Sequence, residues 1–506
     1  MNTELFSTQE KTVVNHAGGA AYAKSAEEAL AQLAVTACFG NTYYVDAKEQ
    51  LDEVLKLAKQ CDPKFVAQAA IYSRKKGYMK DMPVLLLAHL STVDKELFKA
   101  TFPKVVDNAR MLRGFVQIVR SNAVGRKSFG SLPKKLIRKW LVDRDPNRLL
   151  DDSVGNTPSL GDIVKMVHPV PATKEQEGAF GYLIGKDKEI LPPLFQEYEQ
   201  WKRNPTDQTP KVSTRLLTSA ELTTEQWTQI ALRMGWQELR MNLNSLDKHG
   251  VFLSPGITRK LSEKLQDAEA IHRSRVFPYQ ILQAYLSTEN LPNLIQQALQ
   301  VAMEVAVENV PKFEGNIVVG LDVSGSMHSA ITGSRAVSSK TTCLQVAALI
   351  SAVILRKNQE TKIIPFSDSI PKVRLNPLDS VTTIANVLSK LPSGGTNCAL
   401  PLASVANEGQ KVDAFVLVSD NESWINSPSY YNYYRTNAMD EWLRIKKKNP
   451  KAKLINIDLT PNTTTQLHSQ SDILNIGGFS DNVFEVVRSF LNDDTKWIDA
   501  VKAIEV

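Results

Sequence analysis

The spacing of apolar residues changes near residue 314 and divides the chain into two parts with different architectures. Before that point, apolar residues recur at intervals of three and four, which is the period of an amphipathic helix. After it, short β-branched segments alternate with helical stretches, as in a parallel sheet covered by helices. The sequence therefore predicts a multidomain protein, with an α-helical part at residues 1–310 and an α/β part at residues 311–506.

The first part contains several amphipathic segments separated by breaks at Gly, Pro and Asn. We expect helices at residues 26–38, 51–59, 64–76, 95–106, 109–120 and 224–239. Short connections and few strand-like runs favour stacked helix pairs in an α-solenoid or a related array. No repeat of fixed length is visible, so the sequence does not assign the array to a particular repeat class.

Four apolar segments in the second part are typical of buried strands. They read NIVVGLDVS at 316–324, KIIPFS at 362–367, DAFVLVSD at 413–420 and KLINIDL at 453–459. Helical patterns at 342–357, 380–391 and 440–448 separate them, and one or two more helices are expected within 481–506. This alternation predicts a doubly wound α/β domain.

Composition excludes several protein classes. The 506 residues are 43% hydrophobic and 23% charged, which is typical of globular protein and not of disordered or fibrous chains. No apolar run reaches the roughly 20 residues of a membrane helix. Four cysteines are too few and too scattered for a disulfide framework or a cysteine zinc site. Because no secretory signal is visible, we expect a cytoplasmic protein that does not contact a membrane.

Oxygen-bearing side chains cluster after the first strand of the α/β part. Asp322, Ser324 and Ser326 alternate in the string DVSGS, so a loop at the strand end can direct all three toward one point. Thr396 and Asp420 follow later elements of the same domain. Carboxylate and hydroxyl oxygens suit a hard divalent ion, so the pattern predicts a Mg²⁺ or Mn²⁺ site. A polar strand end without metal is the alternative.

Basic residues are concentrated between positions 110 and 148, where eleven Lys and Arg face two Asp. In the predicted helix at 131–141, four cations occupy one side of the helical wheel and apolar residues the other. A short loop before this helix adds two more cations. The six residues are Arg126, Lys127, Lys134, Lys135, Arg138 and Lys139. Such a surface would bind phosphates of a nucleic acid, although an ordinary solvated helix surface has a similar pattern.

His168 lies in the string SLGDIVKMVHPVP at 159–171. The proline that follows disfavours helical backbone at His168, so we expect a helix to end there. Taken alone, a single His in such a position usually caps a helix or faces solvent.

Together these strings resemble the Ro ribonucleoprotein family, which comprises the Ro autoantigen and its bacterial relatives. The resemblance covers nearly the whole chain, as a TROVE module to about residue 310 followed by a von Willebrand factor A domain. The matching strings are GRKSFGSLPKKLIRKWL, SLGDIVKMVHPVP, MGWQELRMNLNSL, RVFPYQILQAY, LDVSGSM and VSDNESW. Asp322, Ser324, Ser326, Thr396 and Asp420 match the five positions of the metal-ion-dependent adhesion site of A domains.

The resemblance implies a ring of HEAT-like helical repeats closed by the A domain. It implies that small noncoding Y RNAs bind the basic outer surface and that single-stranded ends of misfolded RNAs enter the central hole, in RNA quality control or maturation. His168 matches the family's RNA-contacting His. The chain departs from the family pattern at Lys165 and Met166, and Arg240 is displaced from the family's RNL string. We expect a monomer, and an exonuclease partner is left open.

Two other classes of function compete with RNA binding. The first is a metal-dependent adhesion-like or cochaperone-like module, which would bind an acidic protein partner through the A domain. This class of function does not explain the basic surface. The aromatic segment Trp424, Tyr430, Tyr431, Tyr433 and Tyr434 is either an interface anchor or a packed loop. A metal-dependent hydrolase lacks a general base, because both site carboxylates serve as ligands and His328 alone is weak support. We therefore expect no enzyme.

Overall fold

The computed structural model describes residues 13–14, 20–36, 47–186, 190–206, 208–274, 276–331, 341–424, 438–461, 463–468, 470–477, 483–492 and 497–506. Within these residues the chain forms the expected helical array and α/β domain. No helix of the described residues is long and apolar enough to cross a membrane.

The helical array runs from Ala26 to Val307. Its helices are α1 Ala26–Thr36, α2 Ala47–Gln60, α3 Pro63–Lys75, α4 Asp81–Val93, α5 Lys95–Val105, α6 Ala109–Arg120, α7 Ser131–Val142, α8 Arg148–Asp152, α9 Leu160–Val167, α10 Lys174–Leu183, α11 Pro193–Arg203, α12 Thr214–Leu217, α13 Thr224–Arg233, α14 Trp236–Lys248, α15 Pro255–Gln266, α16 Ala268–Ser274, α17 Pro278–Ser287 and α18 Asn293–Val307. Two short strands, β1 Val13–Val14 and β2 Ala20–Ala23, precede them.

Capping and aromatic packing explain how successive helices stack. The Asp94 side chain accepts hydrogen bonds from two backbone N–H groups of α5, and the Asn108 side chain accepts one from the first turn of α6. Phe98, Phe102 and Phe115 then pack together between α5 and α6, with ring centroids 5.6 to 5.8 Å apart. This mutual burial makes each helix depend on its neighbours, as in a repeat array.

One helix prediction was wrong. The sequence pattern at 224–239 predicted a single helix, but the structure has two, α13 and α14. Met234 has extended backbone and Gly235 is the N-cap of the second helix, so the chain turns at this pair. Apolar spacing alone missed the break, because the period continues across it on both sides.

The α/β domain contains a five-stranded parallel sheet with strand order β4-β3-β5-β6-β8. The strands are β3 Ile317–Asp322, β4 Lys362–Phe366, β5 Ala414–Ser419, β6 Lys453–Asp458 and β8 Ile473–Gly477, and the short β7 Thr464–Thr465 lies outside this sheet. The helices are α19 Cys343–Lys357, α20 Val381–Leu388, α21 Leu400–Glu408, α22 Ala438–Lys448, α23 Val483–Asn492 and α24 Trp497–Lys502. Sequence patterns predicted β3 to β6 and missed β8.

The α/β domain contacts both ends of the helical array, so the chain closes into a ring. At the first end, β2 pairs antiparallel with β7, and Gln68 Nε2 of α3 donates to the carbonyl of Ile504 at 3.1 Å. At the other end, Glu304 of α18 accepts a hydrogen bond from the backbone N–H of Val381 at 2.7 Å. The fold class predicted from the sequence and the resemblance is confirmed.

A buried ion pair lies where the N-terminal segment meets the sheet. Lys24 Nζ is 3.6 Å from Asp458 Oδ2, and both side chains are only 2% exposed. Lys24 also donates to Gln32 Oε1 at 2.6 Å. Burial lowers the pKa of Lys24 and raises the pKa of Asp458 to about 7, although each charge opposes the shift of the other. Each group therefore depends on its partner to remain charged inside the protein.

Replacing Lys24 by Met should destabilise the protein, because Asp458 then stays buried without its cation. Breaking a buried pair by removing one partner costs about 3 to 5 kcal/mol, which denaturant unfolding would measure. The double variant Lys24→Met/Asp458→Asn should recover part of the loss, and the exposed control Lys64→Met should have little effect. Equal stability of Lys24→Met and Lys64→Met would contradict the proposed importance of the pair.

Candidate metal and nucleic-acid sites

The first candidate site lies at the carboxyl edge of the parallel sheet. Asp322 ends β3, and Asp420 directly follows β5, which is the neighbouring strand. Asp322 Oδ1 accepts a hydrogen bond from the backbone N–H of Ser324 at 2.8 Å, and its Oδ2 accepts one from Ser419 Oγ at 2.6 Å. Both carboxylates are buried. Two adjacent strand ends therefore bring two acidic groups together, as the sequence predicted.

Hydroxyl groups complete the inner side of this site. Ser324 Oγ lies 3.3 Å from Ser326 Oγ, and the Ser326 side chain hydrogen-bonds to Asp420. Ser324 is buried, whereas Ser326 is partly exposed. The DVSGS string thus contributes one carboxylate and two hydroxyls near Asp420, with Ser326 on the side open to solvent.

Thr396 reaches the same edge on the loop between α20 and α21. Its carbonyl accepts hydrogen bonds from Ser423 Oγ and from the backbone N–H of Trp424, each at 3.3 Å. The carbonyl of Gly394 in this loop accepts a hydrogen bond from the N–H of Gly325 at 3.1 Å. These bonds join the Thr396 loop to the segments that carry the other four predicted ligands. Of the aromatic segment, Trp424 is described, and residues 430–434 lie outside the described residues.

The charges at this edge favour a bound cation. Burial and the nearby charge of Asp420 raise the pKa of Asp322 to about 7, and burial also raises the pKa of Asp420. Among the described residues, neither aspartate forms an ion pair, and the buried Lys24 pairs with Asp458. These residues also include no group of three His, Cys, Asp or Glu side chains placed to hold a metal. The two carboxylates therefore fit a hard ion only if hydroxyl groups and water supply its remaining ligands.

The second candidate site is the basic surface of α7. Gly130, with a φ of 71°, is the N-cap of this helix, which begins at Ser131. Ile137 and Leu141 are buried against the array, and Trp140 Nε1 donates to the carbonyl of Val106 at 3.0 Å. The predicted cations lie outside this buried face: Lys134 is partly exposed, and Lys135, Arg138 and Lys139 are exposed.

His168 lies beside this surface. A capping box between Ser159 and Asp162 begins α9, and His168 ends the helix in left-handed backbone with a φ of 50°. The Arg138 guanidinium of α7 donates from Nε to the carbonyl of Val167, the residue before His168. His168 is exposed. Two strings that are separate in the sequence therefore form one surface, which we call the α7–α9 surface.

The two loop cations differ in their surroundings. The Arg126 guanidinium donates to the backbone carbonyls of Ser91, Ser128 and Phe129. Lys127 is exposed and has no hydrogen bond or ion pair within the described part of the chain. Arg126 therefore holds the loop that presents Lys127, whereas Lys127 is free to meet a phosphate.

Three further groups shape these sites and were not predicted from the sequence. Ser419 donates a hydrogen bond to Asp322. Its position directly before Asp420 in the string DAFVLVSD was the signal that could have predicted this. Asp458 follows the same strand-end pattern in KLINIDL. Lys24 had no comparable signal, because only tertiary structure brings the N-terminal segment to the sheet.

Several known proteins are similar to this chain. Residues 316–491 match the family model described as the Ro60 vWA domain. A protein named RNA-binding protein RO60 from Deinococcus radiodurans is 24% identical over 522 residues, covering 95% of this chain and 95% of that protein. A protein of the same name from Caenorhabditis elegans is 27% identical over 173 residues, 32% of this chain and 26% of that one.

A solved structure extends the likeness to the whole fold. The crystal structure of the Deinococcus radiodurans RO (RSR) protein matches with a TM-score of 0.67 and 22% identity, covering 93% of this chain and 100% of that chain. The chain is thus a helical repeat ring joined to a von Willebrand factor A domain of the Ro60 type. Its resemblance to the Ro ribonucleoprotein family is confirmed.

The different surroundings of Arg126 and Lys127 lead to a paired prediction. Arg126→Gln should lower the free energy of unfolding by about 2 kcal/mol, because it removes charge-assisted hydrogen bonds to three carbonyls. Lys127→Gln should leave stability unchanged. Urea unfolding of the two variants measures the difference, and equal stability would show that the Arg126 contacts do not hold the loop.

Proposed function

We propose that this protein is an RNA-binding scaffold that holds small structured RNA, of the Y-like noncoding type, on the α7–α9 surface. The observation that carries the proposal is the bond between Arg138 and the carbonyl of Val167, because it places His168 beside the cations of α7. Two relatives of this chain are named RNA-binding proteins, which supports the same function.

The availability of the cations supports phosphate binding. Lys134 and Lys135 have no hydrogen bond or ion pair in the part of the chain that the structure describes, and Lys139 pairs only with the exposed Asp143 at 2.7 Å. An exposed pair of this kind is weak, so a phosphate can replace it at low cost. The phosphate contacts supply affinity, and His168 supplies one positioned contact to the RNA.

The closed ring suggests a second role in the same process. We propose that single-stranded ends of misfolded RNA enter the central hole, so that the protein serves RNA quality control or maturation in the cytoplasm. This role needs no catalytic group, and the chain acts as a scaffold rather than an enzyme. The α/β domain supports it by fixing both ends of the array.

We also propose that Asp322, Ser324, Ser326, Thr396 and Asp420 hold Mg²⁺ or Mn²⁺. The support is the burial of two carboxylates, which raises the pKa of both and which a divalent cation would relieve. When bound, such an ion would supply a Lewis-acidic position on the side of Ser326, able to accept an acidic side chain of a protein partner. A metal-dependent protein-binding module without RNA remains the second candidate function.

Removing the α7 lysines tests the RNA-binding surface. The variant Lys134→Gln/Lys135→Gln/Lys139→Gln keeps Arg138, so the bond to Val167 and the packing of α9 should persist. We expect much weaker binding of small structured RNA, with a log–log salt slope less steep by about 2 to 3 units, because each phosphate contact contributes about 0.7 to 0.9. Binding titrations between about 50 and 200 mM salt measure both quantities.

Two controls accompany this variant. Lys447→Gln/Lys448→Gln/Lys451→Gln removes the same charge from exposed positions of the α/β domain and should bind RNA normally. His168→Ser should weaken binding by less than the triple variant. Normal binding by the α7 variant, together with loss of binding in Asp420→Ala, would transfer RNA binding to the α/β domain and contradict the proposal.

Asp322→Asn tests the metal site through stability. Without divalent ions the variant should be at least as stable as the wild type, because it removes repulsion between two buried carboxylates. At a Mg²⁺ concentration of about 100 times Kd, the wild type should gain about 2.7 kcal/mol and the variant should not. The exposed control Asp440→Ala should keep the gain. Thermal unfolding with and without Mg²⁺ measures this, and an undiminished gain in Asp322→Asn would remove Asp322 from the site.

A further inference from the structure

A half-open cavity of about 440 Å³ lies between α4 and α6, outside the sites described above. Its polar lining consists mainly of Lys80, Asp81, Arg110, Arg113, Gln117 and Thr157. None of the α7 cations and none of the metal-site residues line it. The volume is within the range of small-ligand sites in proteins, so a compact polar molecule would fit.

Positive charge in this cavity is not balanced. Three cations and one carboxylate line it, which leaves a net charge of plus two. Arg113 donates from Nη1 to the carbonyl of Asp152 at 2.7 Å, so one of the three cations is already held in place. Within the described residues, Lys80 and Arg110 form no hydrogen bond or ion pair with any side chain or carbonyl.

The cations of the cavity repel one another. Partial burial lowers the pKa of Lys80, and the charges of Arg110, Arg74 and Arg215 lower it further, against the opposing effect of Asp81. Burial and the charge of Arg110 likewise lower the pKa of Arg113, although Asp152 opposes them. An arrangement that holds like charges together in a recess is unfavourable without an anion, and it becomes favourable when an anion enters.

The N-terminus of α4 adds to this field. The helix begins at Asp81, its N-cap residue is Lys80, and no side chain of the described residues caps it. The positive end of the helix dipole therefore lies at Lys80 and Asp81, two residues that line the cavity. This dipole attracts an anion in the cavity, which can also accept hydrogen bonds from the Arg110 guanidinium.

We propose that this cavity binds a phosphomonoester, either at the end of an RNA strand or in a free mononucleotide. A monoester carries a charge of about −1.5 to −2 at pH 7, which matches the net charge of the cavity, whereas each phosphate within an RNA strand carries about −1. The neutral Gln117 and Thr157 provide further hydrogen-bonding groups. The strand-end form of this inference rests on the proposed RNA-binding function, and the mononucleotide form does not.

The variant Lys80→Gln/Arg110→Gln tests the cavity. Both side chains are exposed enough that Gln should be accommodated, and the loss of repulsion should leave the melting temperature unchanged or higher. Arg259→Gln/Lys260→Gln is the matched control, because it removes one Arg and one Lys from exposed positions of α15. The probes are inorganic phosphate, adenosine monophosphate, and ten-nucleotide RNAs with 5′-phosphate, 3′-phosphate or only hydroxyl ends.

We expect wild type and control to bind a phosphate-ended RNA about tenfold more tightly than the hydroxyl-ended RNA, as one added charge-assisted hydrogen bond would give. The cavity variant should lose this preference and keep its affinity for the hydroxyl-ended RNA. Thermal stabilisation by phosphate or adenosine monophosphate, lost in the same variant, would support the mononucleotide form even if the RNA ends are not distinguished.

Two results would overturn the proposal. One is the absence of both the end preference and the phosphate stabilisation in the wild type. The other is an equal loss of affinity for phosphate-ended and hydroxyl-ended RNA in the cavity variant, because the cavity would then bind internal phosphates. Failure of the proposed function would be distinguishable, since the α7 lysine variant would then bind structured RNA normally whatever the cavity variant does.

Discussion

Buried carboxylates at the carboxyl edge of the sheet need positive charge, and much of the architecture follows from how they obtain it. Asp458, at the end of β6, obtains it from Lys24 of the N-terminal segment. The ammonium group of Lys24 reaches Asp458 because β2 pairs with β7 and α1 packs against the sheet. In this contact Gln32 donates a hydrogen bond to the carbonyl of Asn475. The first end of the helical array is therefore attached to the α/β domain. Asp322 and Asp420 have no such cation among the described residues, which is why a divalent ion is the partner we propose.

Closure of the ring holds the helices that carry the two basic regions, which are the α7–α9 surface and the cavity between α4 and α6. The array cannot slide or open at its first end without exposing Lys24 and Asp458 separately, which is costly for buried charges. At its other end, α18 is held by the bond from Val381 to Glu304. The α7–α9 surface and the cavity between α4 and α6 both lie on the array that these contacts hold at its two ends. Surfaces held in this way lose little conformational entropy when they bind an extended polyanion.

Local signals predicted the elements better than their assembly. The strand-end motifs placed Asp322 and Asp420 correctly, because parallel strands bring their carboxyl ends to one edge whatever the details of packing. The basic stripe of α7 followed from helical periodicity, but its proximity to His168 depends on the contact between Arg138 and Val167, which no local pattern contains. Strand β8 was missed, and the turn at Met234 and Gly235 was hidden by continuous apolar spacing.

Helix α6 connects the two regions that we assign to RNA. Its buried face carries Phe115, whereas Arg110 and Arg113 line the cavity. At the other end of the helix, the Arg120 guanidinium contacts the sulfur of Met166, two residues before His168. Ten residues of helix separate Arg110 from Arg120, which corresponds to about 15 Å at 1.5 Å per residue. A strand end in the cavity and a structured RNA on the α7–α9 surface would thus be neighbours on one rigid helix, so a single RNA molecule can occupy both.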